Sequence, residues 1–199
     1  MQKYPIHLLK VIEALKKLPG VGAKTAERFA FEMINWQDLA LKNMAQIILS
    51  IPNELKICPE CGALSSPSMC SFCVDSSRRS KILCLVATPK DVFSIEATHE
   101  YRGHYHVLGC LLSPLNGIGC DSLPLDRIKK RIADLKVEEV VIALDSTLEG
   151  DTTALYIKQE LEALNIEVSR LAFGLPMGSS FDYVDGGTLA KALTARSRF

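Results

Sequence analysis

Three observations predict an α+β chain built from several small domains. Two short amphipathic stretches meet at a glycine-rich turn, residues 18–24. Two Cys-x-x-Cys knuckles stand eight residues apart, within 58–73. From residue 81 onward, apolar runs alternate with amphipathic ones. A chain of 199 residues accommodates two or three such pieces. The expected order is an N-terminal helical bundle, a small four-cysteine zinc module, a C-terminal α/β domain with a parallel sheet, and a C-terminal helix. The expected boundaries are 1–53, 54–79, 80–176 and 177–199.

The first helix is predicted over Ile6–Leu18, where Leu8, Val11, Ile12 and Leu15 recur at helical spacing. The second runs over Thr25–Ile34, with Ala26, Phe29, Ala30 and Met33 inward. Asn35 is placed to cap a third helix, which carries Leu39, Leu41, Met44, Ile47 and Ile48 and ends before Pro52. Three helices of this length bury little by themselves and need a neighbour.

The turn between the first two helices reads Leu18-Pro19-Gly20-Val21-Gly22-Ala23-Lys24. Its glycines reach backbone angles closed to other residues and leave room for another backbone. The amides that follow open a helix, whose dipole favours an anion. Lys24 in that first turn, and Arg28 one turn on, are cations where the helix alone would prefer acids. The pattern resembles a helix-hairpin-helix, which grips a nucleic-acid phosphate without reading sequence; an ordinary αα-hairpin with a glycine turn is the competing reading. Gly20, Gly22, Lys24 and Arg28 are the candidate DNA-binding residues.

Charge distribution favours the first reading. The formal net charge is zero, but residues 1–80 hold 10 Lys and Arg against 7 Asp and Glu, whereas residues 81–199 hold 13 against 16. The basic excess lies with the hairpin. Composition is 48% hydrophobic and 23% charged, with no apolar run of membrane-spanning length. Met1–Pro5 lacks a basic-then-apolar signal. A cytoplasmic protein is expected.

Residues 53–79 have little periodicity but hold four of the seven cysteines. Cys58, Cys61, Cys70 and Cys73 form two knuckles, each turning two thiolates toward one point, and together they suit a tetrahedral zinc ion. Gly62 fits the tight turn after the first knuckle. Stable disulfides are the alternative, disfavoured in the cytosol. Four protein ligands leave no open position, so the one zinc expected per chain is structural. Lacking a core, the module is expected to fold only with metal bound, and chelation to unfold the N-terminal half. Cys84, Cys110 and Cys120 lack partner spacing.

Strands are predicted over Ile82–Val86, Tyr105–Gly109, Glu139–Leu144 and Ile166–Ala172. Helices are predicted over Asp91–Glu100, Leu125–Leu135, Thr153–Leu164 and Gly186–Arg198, with Lys129, Lys130 and Arg131 facing outward. Such alternation gives a parallel sheet with helices on both faces and sites after the strands' carboxyl ends. Asp145, Glu149 and Asp151 follow the Glu139–Leu144 strand. Two readings stand for them: a magnesium site, or acids complementing a helix dipole. His99, His104 and His106 lack a nucleophile at readable spacing and are assigned to loop and strand.

In this order, Leu18–Lys24, Cys58–Cys73, Tyr101–Gly109, Leu112–Gly119 and Gly174–Gly178 resemble signatures of the RecR family of recombination mediators, over the whole chain. The resemblance implies a Toprim domain for the α/β part. Catalytic Toprim domains place a Glu after the first strand and a DxD after a later one, together holding magnesium. Here those positions read Ala87 and Asp145-Ser146-Thr147, so two of three carboxylates are missing and a non-catalytic scaffold is implied. The resemblance further implies a homotetramer associated with the nucleoid, binding gapped or junction DNA. It would work with RecO and, in many bacteria, RecF to load recombinase onto strands coated by single-strand-binding protein. A Toprim-type, magnesium-dependent nuclease or primase-like enzyme is the alternative.

Overall fold

The computed structural model describes residues 4–67, 70–172, 174–175 and 177–196. The chain divides into two compact units, Met1–Glu54 and Leu55–Phe199.

The first unit holds helices α1 (Ile6–Leu15), α2 (Ala23–Ile34) and α3 (Asp38–Glu54). Ile12, Ala26 and Ala30 are buried between α1 and α2, with Leu8, Val11 and Leu15 packed around them. The two alanines sit one turn apart and let the helices approach closely. Phe29, expected inward, is instead 40% exposed and lies outside this cluster. Asn35 closes α2 instead of opening α3, its N–H donating to the Glu32 carbonyl at 3.0 Å. The Gln37 carbonyl starts α3 by accepting from Ala40 and Leu41. Pro52 lies inside α3 rather than beyond it. In the last turn a missing N–H removes only one bond, so the helix continues to Glu54. No residue of α3 is buried, and Leu39, Ile47, Ile48 and Leu49 are largely exposed.

The second unit opens with a short antiparallel hairpin, β1 (Lys56–Ile57) and β2 (Leu64–Ser65), and a one-turn helix, α4 (Ser71–Val74). There follow β3 (Arg79–Val86), α5 (Pro89–Glu96), β4 (Gly103–Val107), α6 (Leu125–Leu135), β5 (Glu139–Ala143), α7 (Leu148–Leu161), β6 (Glu167–Arg170) and α8 (Gly186–Thr194). The four long-range strands pair in parallel in the order β4-β3-β5-β6, Leu83 lying opposite Val140 and Val140 opposite Val168. α5 and α7 start earlier than their periodicity suggests because each has a cap. Thr88 N–H donates to Asp91 at 2.7 Å in a capping box, and the Thr147 hydroxyl accepts from Gly150 N–H at 3.1 Å.

Alternate residues of each strand face opposite layers. On one face Leu83, Leu85, Val140 and Ile142 meet Ile128 and Ile132 of α6 and Ala154, Ile157 and Leu161 of α7. On the other, Cys84, Val86, Tyr105 and Val107 meet Val92 of α5 together with Cys58, Cys61 and Cys70. This corrects the expectation of a coreless four-cysteine module belonging with the N-terminal half. The module lies in the second unit and shares one of the sheet's two cores. The tail helix expected over 186–198 is seen over Gly186–Thr194. Residues 1–3, 68–69, 173, 176 and 197–199 of the predicted segments lie outside the described residues.

Candidate metal centre and nucleic-acid interface

The four cysteines converge although two loops carry them. Gly62, at φ +75°, turns the chain so that its N–H donates to the Cys58 carbonyl at 3.0 Å, while Cys58 N–H donates to Ala63 at 2.8 Å. In the second knuckle Cys70 sits just before α4 and Cys73 N–H donates to its carbonyl at 3.0 Å. The four sulfurs all lie within 4.8 Å of one another, Cys61–Cys70 at 3.4 Å and Cys58–Cys73 at 3.9 Å. Tetrahedral zinc with Zn–S bonds of about 2.3 Å requires edges of about 3.8 Å, so the donor set fits that ion. Cys58, Cys61 and Cys70 are buried and Cys73 is half-buried.

The thiols are electrostatically unequal. Cys73 is pulled down to about 5, first by its hydrogen bond with Cys61 and then by Arg131. Cys61 is pushed up by the same bond and by burial, and Cys70 is pushed up to about 11 by burial. A metal ion drawing all four into the thiolate form displaces their protons.

Arg131, expected outward, is turned into the protein: its side chain is 10% exposed, Nη2 donates to Cys73 Sγ at 3.3 Å and Nη1 lies 3.7 Å from Glu60. One turn earlier Arg127 donates to the Pro59 carbonyl at 2.5 Å. Helical periodicity places Arg131 with Lys129 and Lys130 on an outward face, but Arg131 and Arg127 turn toward the cysteine knuckles. Arg78, unremarked in the sequence, binds Glu96 through Nη2 at 2.7 Å and stacks 5.0 Å over Phe72, the residue before Cys73. The signal for both was present only as an arginine among otherwise ordinary surface residues.

His104 and His106 lie on β4 as assigned, both buried. Burial holds them below the ordinary histidine range, His106 down to about 4 with Arg131 and Arg127 adding to the effect. Both stay neutral at pH 7. Neither ring nitrogen of His106 has a partner among the described residues.

The glycine turn forms as expected at Gly20 but not at Gly22, whose extended backbone any residue could adopt. Gly20 has φ +79°, Val21 N–H donates to the Leu18 carbonyl at 3.1 Å, and extended Gly22 precedes α2. No side chain caps α2 and no acid lies in its first turn, so its leading amides remain available to an anion. A Cβ at Gly20 or Gly22 would meet nothing within 4 Å, so that face is open. Lys24, Glu27, Arg28 and Phe31 line a shallow depression on α2. Arg28 stacks 5.6 Å from the Phe29 ring, and Glu27 accepts from the Tyr4 hydroxyl.

The acidic loop behaves differently. Asp145 follows β5, and Glu149 and Asp151 stand in the first turn of α7. Asp151 accepts from Arg170 Nη2 at 2.5 Å and lies 3.3 Å from Lys191 Nζ, which also donates to the Ser146 hydroxyl at 2.8 Å. These bonds, Arg170's first, hold the Asp151 carboxyl below its usual range. Two side-chain cations therefore occupy Asp151, one of the three carboxylates for which a magnesium site is one of two readings. Among the described residues, the one group of three or more His, Cys, Asp or Glu gathered closely enough to share an ion is the four cysteines.

Comparison with known proteins gives three family matches in chain order: "RecR, helix-hairpin-helix" over residues 8–51, "Toprim domain" over 81–172 and "RecR, C-terminal" over 174–197. The chain is 59% identical to Recombination protein RecR of Protochlamydia amoebophila (strain UWE25), covering 99% of this chain and 100% of the relative. It is 49% identical to Recombination protein RecR of Chlamydia abortus and 48% identical to that of Chlamydia trachomatis serovar D, over the whole of each chain. Among the described residues no helix is long and apolar enough to cross a membrane.

Proposed function

The chain belongs to the RecR family of recombination proteins, and on that premise we propose that it is a non-enzymatic DNA clamp. Several copies, a tetramer by family resemblance, present their hairpins to gapped or junction DNA in the cytoplasm. They assist RecO, and RecF where present, in loading recombinase onto strands coated by single-strand-binding protein. The observation that carries this reading is the uncapped start of α2, with no acid in its first turn and Lys24 and Arg28 beside it. A phosphate there satisfies amides and cations that the fold itself leaves to solvent.

One hairpin neutralises a phosphate or two, a modest and salt-sensitive gain. Several hairpins on one assembly bind through effective concentration, which suits a near-neutral chain. In this division of labour residues 1–53 grip DNA. Residues 54–79 hold one structural zinc, 80–176 form the scaffold, and 177–199 brace the acidic loop through Lys191. Pairing of Asp151 with Arg170 and Lys191 supports a scaffold over a nuclease or primase-like enzyme.

The test is binding of full-length protein to labelled gapped DNA across a salt series, with magnesium. Wild type binds with a negative salt slope and leaves the DNA intact. Lys24→Ala with Arg28→Ala loses affinity and flattens the slope by about 1 per removed cation in each engaged chain. Unchanged binding in the double variant overturns the hairpin assignment. Magnesium-dependent cleavage lost in Asp145→Ala overturns the non-enzymatic one.

A further inference from the structure

We propose that Arg131 is an outer-sphere partner of the metal centre, holding the Cys73 thiolate in place and retarding loss of the ion. This rests on the zinc reading above.

A guanidinium as deeply buried as Arg131 needs a strong anion beside it. Glu60 is a poor one: its carboxylate is 3.7 Å away and its side chain 63% exposed. The closer contact is Cys73 Sγ, at 3.3 Å. A neutral thiol would leave the guanidinium charge uncompensated. Four thiolates around a divalent ion carry two net negative charges, which supply what Arg131 lacks. The placement is also specific. Cys73 is the one ligand of the four that is not fully buried, hence the one open to competing chelators. Arg131 covers it, while Arg127 on the same face of α6 fixes the first knuckle through Pro59. Because α6 also carries Ile128 and Ile132 in the sheet's core, the ligand is tied to the α/β scaffold. Outer-sphere partners of this kind hold a ligand's orientation and charge, and losing one typically lowers metal retention 10- to 100-fold.

The experiment uses full-length protein loaded with zinc, and separately with cobalt(II), as wild type, Arg131→Met, Arg131→Lys and Arg127→Met. Zinc transfer to a chromophoric chelator is expected to quicken about tenfold or more in Arg131→Met and to recover partly in Arg131→Lys. The thiolate-to-cobalt charge-transfer band is expected to move to lower energy in Arg131→Met, where a sulfur loses its hydrogen bond. Arg127→Met removes a bond to the Pro59 carbonyl of the first knuckle and none to a sulfur, so its band is expected to move less than that of Arg131→Met. Should Arg131→Met fail to fold, the band and release rate of Arg131→Lys decide, since a lysine gives one donor in place of a fork. Unchanged band and release rate in the Arg131 variants overturn the inference while leaving zinc intact. A wild-type chain that takes up neither zinc nor cobalt overturns the zinc reading itself.

Discussion

The backbone N–H of Val107, at the end of β4, donates to the carbonyl of Cys61 at 2.7 Å. A sheet strand is thereby bonded directly to one of the four clustered cysteines. The adjoining Gly62 has little room for a side chain, since a Cβ there would lie 3.0 Å from Val107 Cβ and 3.2 Å from its carbonyl oxygen.

Chelation is therefore expected to loosen the sheet rather than the helical hairpin. Hydrogen exchange on full-length protein, with and without a strong chelator, reads this directly. The Val107 amide is expected to exchange on the order of a hundredfold faster once the ion is removed, because metal binding contributes directly to folding. Amides of α1 and α2 are expected to keep their protection. Equal loss in both units would contradict the shared core.

Arg78 and Glu96 form the second prediction. The Arg78 side chain is 6% exposed, its guanidinium bonded to Glu96 and to the Gly103 carbonyl, and the Tyr105 hydroxyl donates to Glu96 at 2.7 Å. Burial pushes the Glu96 carboxyl up, but Arg78 and Tyr105 outweigh it and hold it below the ordinary 4.5. A carboxyl depressed on folding stabilises fully above its unfolded value and loses that contribution as pH falls through its native one. Arg78→Met leaves Glu96 half-buried without its cation and is expected to cost about 3 kcal/mol at pH 7. The gap from wild type is expected to narrow below pH 4.5 as Glu96 protonates. Chemical denaturation at neutral pH and again below the native Glu96 value measures both, and a gap independent of pH would refute the pairing.

Two glycines offer a third, contrasting prediction. A Cβ on Gly150 would stand 2.0 Å from the Asp145 carbonyl oxygen, a backbone atom that cannot step aside. Gly150→Ala is expected to destabilise by about 1–3 kcal/mol. Gly22→Ala meets open space and is expected to melt within about 1 kcal/mol of wild type. It is also expected to weaken binding to gapped DNA, because the added methyl stands where a phosphate backbone must approach. Calorimetry and the binding series separate the two effects.

The contrast between these sites explains what could be read in advance. The Gly20–Lys24 turn and the four cysteines are short-range patterns, in which spacing alone fixes the geometry. The parallel sheet was legible because strands buried on both faces leave continuous apolar runs such as Ile82–Val86. Pairings across the chain left no such trace: Arg131 meets Cys73, and Lys191 meets Asp151, only through tertiary folding. Periodicity also says which side chains share a helical face, not what that face meets. Hence Arg131 was assigned to solvent, and Phe29 to the seam that holds Ala26 and Ala30. Helix starts were misplaced where a cap, Thr88 or Thr147, outweighed the apolar pattern.

Ala87 follows β3, and the family resemblance sets it at the position where catalytic Toprim domains carry a glutamate. It is 8% exposed and lies in the core cluster with Leu85, Leu108 and Leu112. Its carbonyl accepts from Gly109 at 3.0 Å, and the Thr88 cap follows at once. A glutamate at residue 87 would thus place a charge among packed aliphatic groups. A carboxylate at residue 87 is therefore opposed by packing before any question of metal ligation arises: its neighbours would have to retreat to admit it.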